Sequence, residues 1–453
     1  MGVRGKFNDI TDRALREIAR LGCTHVWYTG VIEHATQTDY SAYGIAIDNR
    51  YVVKGKAGSP YAIKDYYDID PDLAVNIPER MAEFETLVER THRNKLKVLI
   101  DFVPNHVARQ YHSDAKPSGI EDLGANDNPA HAFDPHNNFY YLPQQPFSPH
   151  FYIGEGSERY NEYPAKATGN DCFSASPGEN DWYETVKLNY GVDYLNCMRR
   201  NFEPIPDTWI KMRDILLFWA GKNIDGFRCD MAEMVPVEFW GWAIPQIQQH
   251  YPHLIFIAEV YNPCEYRNYL NIGHFDYLYD KVGLYDLLRN IVSGHASTLQ
   301  ISHCWQSLEG INTRMVNFLE NHDEQRVAST QNAGDPFKAY PSLIISAMMN
   351  RNPFLLYFGQ ELGEKATDAE GFSGQDGRTT IFDYWSVPSV RSWYNQGRCN
   401  DEKLTPDQKR LRTLYQQALT LCNKEAALRE GEFFDLMYVN FDNERFDAKH
   451  NYA

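Results

Sequence analysis

The chain alternates short, near-continuous apolar runs with amphipathic helices, and this alternation confines it to a parallel α/β sheet. A helix from about Asp9 to Leu21 leads into the run Thr24 to Thr29, and a helix from about Pro78 to Asn94 leads into Lys97 to Val103. After a long irregular stretch, a helix from Asp207 to Lys222 precedes Asp225 to Asp230, and one from Pro236 to His250 precedes Leu254 to Glu259. Three later runs are Phe275 to Tyr279, Met315 to Glu320 and Phe354 to Gly359. Runs with no polar alternation suit strands buried on both faces.

Two architectures take such strands, a doubly wound open sheet and a (β/α)8 TIM-type barrel. No Gly-x-Gly-x-x-Gly turn opens any of the units, which counts against the first. The polar residues decide for the barrel. Asp101, Asn105, His106, Asp230, Glu259 and Asn321-His322-Asp323 all sit at or just past C-terminal strand ends, which is the catalytic face of that fold.

The 107–194 stretch is rich in Pro, Asn, Gly and Tyr and has no sustained period, so it reads as a subdomain inserted after the third barrel strand. The expected organisation is barrel over 1–106, insertion over 107–194, barrel again over 195–423, and the start of a C-terminal β domain over 424–453, with Phe433 to Val439 as its first strand. The first recognisable element is a helix, so the opening barrel strand is missing and the sequence reads as a fragment of a longer protein.

Charge narrows the partners. The 453 residues carry a formal net charge of −17 and show no basic stripe, which argues against nucleic acid and for a neutral substrate. No segment has the apolar length of a membrane span. The eight cysteines lie far apart with no Cys-x-x-Cys pair, which fits free thiols in a reducing compartment. The first residues, Met1 to Lys6, do not read as a signal peptide. Both features favour a cytoplasmic location, while a periplasmic or secreted one stays open because the native start can lie upstream.

Asp230 and Glu259 are about one strand–helix–strand unit apart, so they stand at the tops of adjacent parallel strands. Paired carboxyls are the requirement of glycoside hydrolysis, one attacking or activating water and the other delivering a proton. Arg228 precedes Asp230 by two residues, so the pleat puts both on one face. A guanidinium there is expected to hold Asp230 ionised, whereas the apolar approach Phe256-Ile257-Ala258 is expected to keep Glu259 protonated. The bland readings are helix-capping acids and a structural ion pair.

These residues resemble the four signatures of the α-amylase family of glycoside hydrolases. Asp101-Phe102-Val103-Pro104-Asn105-His106 is similar to the first, Gly226-Phe227-Arg228-Cys229-Asp230 to the second, Ala258-Glu259 to the third, and Glu320-Asn321-His322-Asp323 to the fourth. They occur in the family's order, at the third, fourth, fifth and seventh barrel strands. The resemblance implies a retaining hydrolase of α-glucosidic bonds, α-1,4 above all, in starch, maltodextrin or related α-glucans. It makes Asp230 the nucleophile, Glu259 the general acid/base and Asp323 the carboxylate that grips the sugar. His106 and His322 would bind sugar hydroxyls, Tyr61 would stack beneath the ring, Arg228 would orient Asp230, and Asp101 and Asn105 would support them. The signatures leave open a transglycosylase and, in another class, a non-catalytic carbohydrate-binding or partner module.

Two positions depart from the family's pattern. Glu233-Met234 stands where many amylases have Lys-His. Val186-Lys187-Leu188-Asn189 stands for the usual Pro-Asp-Leu-Asn, so Lys187 replaces an aspartate that often binds calcium. An ammonium there opposes a hard cation. The catalysis needs no metal or other cofactor, and calcium is not expected at the usual place.

Overall fold

The computed structural model describes residues 5–453. Fifteen strands occur in chain order: β1 His25–Tyr28, β2 Ile32–His34, β3 Ile63–Ile69, β4 Lys97–Phe102, β5 His106–Ala108, β6 Tyr141–Leu142, β7 Ala165–Lys166, β8 Thr185–Lys187, β9 Val192–Asp193, β10 Arg199–Arg200, β11 Gly226–Cys229, β12 Ile255–Ala258, β13 Tyr277–Tyr279, β14 Met315–Phe318 and β15 Phe354–Leu355. The α-helices are α1 Asp12–Leu21, α2 Arg80–Arg93, α3 Asp207–Ala220, α4 Val237–His250, α5 Tyr266–Asn271, α6 Asp286–Val292, α7 Gln300–Ser307, α8 Tyr340–Met348, α9 Pro388–Tyr394, α10 Pro406–Lys424 and α11 Ala426–Arg429.

Seven strands form one parallel sheet in the order β1-β4-β11-β12-β13-β14-β15. They are the seven apolar runs of the sequence, each trimmed at its ends, and the arrangement is that of a (β/α)8 barrel. Their helix-facing residues are almost wholly buried: Val98, Ile100, Phe102, Phe227, Phe256 and Leu278 are 0% exposed. Gly226 is required by packing, because a Cβ there would come within 2.3 Å of the Ile255 carbonyl.

β1 and β15 are the two ends of this sheet. The helices outside them close the gap that the strands leave. α1 begins at Thr11, whose hydroxyl accepts from the Ala14 amide, and ends at Gly22 with φ +107°, against Leu419 of α10. Gln416 and Asn423 of α10 donate to the carbonyls of Arg20 and Gly22.

Three features go beyond the sequence reading. A hairpin of β2 and β3 lies outside the sheet; β3 has all seven residues buried, so no alternation marked it. The insertion is built of short ladders, β5 with β8 and β6 with β7. In the tail, the run Phe433 to Val439, expected as a strand, forms none. A β-prone run needs a partner strand, and here the tail packs on α7 instead. Asp435 accepts from Ser302 at 2.5 Å and from the Trp305 indole at 3.1 Å, while Phe434 and Tyr438 remain 70% exposed.

Candidate active site

Strand register builds the site. Arg228 of β11 lies beside Asp101 of β4, and Cys229 beside Ala258 of β12. The ladder continues one step past the strand ends, where the Asp230 amide donates to the Phe102 carbonyl and the Glu259 amide to the Cys229 carbonyl. Asp230 and Glu259 are therefore lateral neighbours at the top of the sheet. Met231, the next residue, takes a left-handed φ of +41°, and its amide donates to Glu259 Oε2 at 2.8 Å. Strain of that kind collects at functional sites.

The Arg228 guanidinium, 1% exposed, is shared by three carboxylates. Nη1 lies 2.7 Å from Asp230 Oδ1 and 3.3 Å from Asp101 Oδ1. Nη2 makes an ion contact with Glu259 Oε2 at 2.8 Å, off the line of a hydrogen bond. The faces of Trp27, Tyr61 and Tyr279 surround the guanidinium at 5.3, 5.4 and 5.5 Å. This sharing changes one expectation. The sequence predicts that Arg228 keeps Asp230 ionised, but burial pushes Asp230 up to about 8. Arg228 opposes that rise while Glu259 and Asp101 add to it. One cation divided among three buried carboxylates does not offset the desolvation of Asp230.

The fourth signature forms the opposite wall. Asn321 Oδ1 accepts from the amides of Asp323 and Glu324, an Asx turn that presents His322 and Asp323. His322 Nε2 lies 2.7 Å from the Tyr61 hydroxyl and 3.1 Å from Asp323 Oδ2, with the Tyr61 and His322 rings stacked at 5.2 Å. Desolvation raises Asp323 but is outweighed, chiefly by His322, which holds the carboxyl down; its side chain is 44% exposed, so water screens part of that effect.

His106 packs against Trp182, ring centroids 5.2 Å apart, and burial, with help from Lys187, pushes it down to about 3. Asn105 donates to the Gly169 carbonyl at 2.7 Å and accepts from Lys187 Nζ at 2.6 Å. Lys187 also pairs with Asp171 at 2.5 Å. Asp101 accepts from the Trp27 indole at 2.8 Å. Glu233, in the variant segment, accepts from the Asn262 amide, so it joins the loops that follow β11 and β12.

Asp101, Tyr61, Arg228, Asp230, Glu259, His322 and Asp323 thus converge in one place, with His106 beside them through a hydrogen bond of its imidazole to the Tyr61 backbone carbonyl. The sequence reading missed Tyr261, whose hydroxyl donates to Glu259 Oε1 at 2.5 Å, and Tyr279, whose hydroxyl accepts from Arg228 Nε at 3.3 Å. The rule that paired Arg228 with Asp230 also finds Tyr261, two residues after Glu259.

Among the described residues, no helix is long and apolar enough to cross a membrane. The family model "Alpha amylase, catalytic domain" matches residues 2–418. Alpha-amylase 3 of Dictyoglomus thermophilum is 22% identical over 394 residues, 82% of this chain and 68% of that protein. A maltosyltransferase of Cereibacter sphaeroides, alpha-1,4-glucan:maltose-1-phosphate maltosyltransferase, is 39% identical over 57 residues, which are 13% of this chain and 10% of that protein. The chain therefore spans only a small part of the transferase. In structure it is similar to the cyclic alpha-maltosyl-(1→6)-maltose hydrolase of Arthrobacter globiformis in complex with maltose, with TM-score 0.62, 18% identity, and coverage of 94% of this chain and 76% of that one. With the family model covering most of its length and the four signatures gathered at the strand ends, the chain belongs to the α-amylase family.

Proposed function

We propose that the protein cleaves α-glucosidic bonds, α-1,4 above all, in starch, maltodextrin or related α-glucans by a retaining double displacement. The observation that carries this reading is the junction of Asp230 and Glu259 on the one guanidinium of Arg228, with Asp323 facing them. In this reading Asp230 attacks the anomeric carbon, and Glu259 protonates the departing oxygen and later activates water. Burial raises Asp230, so the carboxyl must give up its proton before it attacks. Attack requires the Asp230 anion, which the Arg228 guanidinium favours. Tyr261 donates to Glu259 and positions it. Tyr61 offers a ring face to a sugar, and His106, His322 and Asp323 offer hydroxyl partners.

The calcium often found in the family does not fit the Asn105–Lys187 region. The ammonium of Lys187 lies against both oxygens that a cation would need, Asn105 Oδ1 and Asp171 Oδ1, so no step is assigned to a metal there. All eight cysteines are free, which supports a reducing, cytoplasmic setting.

Chromatography of the products from starch, pullulan and maltotriose tests the reading, with the anomeric form of the first product followed by NMR. Maltooligosaccharides of retained α configuration are expected. Inverted products would sink the double displacement, and products longer than the substrate at high maltooligosaccharide concentration would show transfer in place of hydrolysis.

A further inference from the structure

A second cluster of carboxylates lies away from the Asp230–Glu259 pair, on the β2–β3 hairpin. Glu33, Asp65, Asp68 and Asp114 each offer one oxygen, and the four oxygens all lie within 4.8 Å of one another. Glu33 is 2% exposed, Asp65 0% and Asp68 4%, whereas Asp114 reaches the surface.

The backbone is shaped to bring them together. Glu33 stands directly opposite Asp65, a pairing of like charges that destabilises an antiparallel ladder. The register jumps from Ile69 to Asp65 while the partner strand advances only from Ile32 to Glu33. That bulge lets Asp65 and Asp68 approach one point, where strict alternation would put them on opposite faces. The Asp65 oxygens accept from the amides of Tyr67, Asp114 and Ala115 and from the Ser113 hydroxyl, which draws the 113–115 turn onto the hairpin and supplies the fourth carboxylate.

Nearby cations compensate the cluster only in part. Arg80 is committed to Asp68. Lys64 pairs with Asp48 at 3.0 Å. Glu33 Oε2 is buried with no hydrogen-bond partner. An orphaned buried carboxylate oxygen is costly, and the Glu33 carboxyl that carries it lies among three further carboxylates.

We propose that Glu33, Asp65, Asp68 and Asp114 bind one hard divalent cation, calcium by its size. Calcium takes oxygen ligands at about 2.3–2.6 Å in flexible geometry, so one ion can reach oxygens spread over this width. Magnesium demands about 2.0–2.1 Å in a tight octahedron and suits the cluster less well. The ion ties β2, β3 and the 113–115 turn together. β3 begins two residues after Tyr61, so the ion braces the segment that carries the active-site tyrosine, and its role is structural.

The test uses the full chain stripped of metal with a chelator and returned to metal-free buffer. Calorimetric titration with calcium chloride should show one saturable site, and calcium at a hundredfold excess over Kd should raise Tm by about 3 °C, with magnesium giving less. Glu33→Gln keeps the shape of the side chain and should abolish both responses. Asp114→Asn, at an exposed position, should leave the metal-free Tm unchanged and weaken calcium binding by about tenfold or more. Asp171→Asn, in the Asn105–Lys187 region, should bind calcium as the parent does. Absence of calcium binding in the parent overturns the site, as do undiminished binding in both Glu33→Gln and Asp114→Asn, or loss in Asp171→Asn alone.

Discussion

Arg228 and Asp230 stand two residues apart on one face of a strand, and Nη1 of the first lies 2.7 Å from Oδ1 of the second. The same guanidinium reaches Glu259 and Asp101, and its planar fork is what makes the sharing possible. An ammonium has no such fork. Arg228→Lys keeps the charge, so the protein is expected to fold, yet kcat should fall by about 10²-fold or more. With less of the cation directed at Asp230, its carboxyl rises further, so the acid limb of the rate profile should move to higher pH. Unchanged kcat with an unmoved limb would show that the bridge has no part in the reaction.

The two carboxyls are expected to fail in different ways. Asp230→Asn removes the attacking group, and should abolish turnover of every substrate. Glu259→Gln removes the proton donor, at a cost of roughly 10²–10⁴ on starch. Fluoride leaves without protonation, so an α-glucosyl fluoride should still release fluoride from Glu259→Gln in a single burst. Equal losses on both substrates for both variants would refute the division of roles.

What could be read in the sequence follows from what each residue depends on. The strand positions of Asp101, Arg228, Asp230 and Glu259 depend on period and register along the chain, so local pattern located them. The upward push on Asp230 depends on its burial and on how many carboxylates share one guanidinium, and both appear only when β4, β11 and β12 are side by side. The hairpin strand Ile63–Ile69 was hidden because both its faces are covered, which removes the alternation that marks a strand. The tail shows the opposite failure. Phe433 to Val439 has the composition of a strand, but composition does not supply the neighbour that a strand requires.

His106 gives a stability prediction with a definite sign. Burial pushes its imidazole down to about 3, whereas in the unfolded chain it titrates near 6.5. The neutral ring therefore contributes stability that is present above about pH 6.5 and is lost as pH falls toward 3. His106→Gln packs less well and should be less stable at pH 7. It has no proton to take up, so the gap in Tm between parent and variant should narrow steadily from pH 7 to pH 4. Other groups titrate in that range in both proteins and cancel in the difference. A gap that stays constant or widens would mean that His106 takes up its proton in the folded state as readily as in the unfolded one.

The sheet offers one more test, at its ends. β1 pairs with β4 and β15 with β14, and among the described residues neither pairs with the other. A barrel has no edges because each strand has two partners, whereas an edge strand presents free N–H and C=O groups on which other chains can assemble. Here α1 and α10 are in contact across the gap, so the outer layer is continuous where the inner one is not. A strand supplied between β1 and β15 would satisfy both edges, and its upper end would add side chains beside Trp27 and Tyr61 at the active face. Residues 1–453 expressed alone should therefore aggregate readily and turn over starch slowly. The same chain carrying an added strand designed to pair with β1 and β15 should melt at higher temperature and work faster. The comparison needs both lengths purified side by side, with melting followed by circular dichroism and hydrolysis by reducing-sugar release. If the shorter form melts cooperatively at the same temperature and matches the longer in rate, the open edge has no energetic consequence and the helices alone close the barrel.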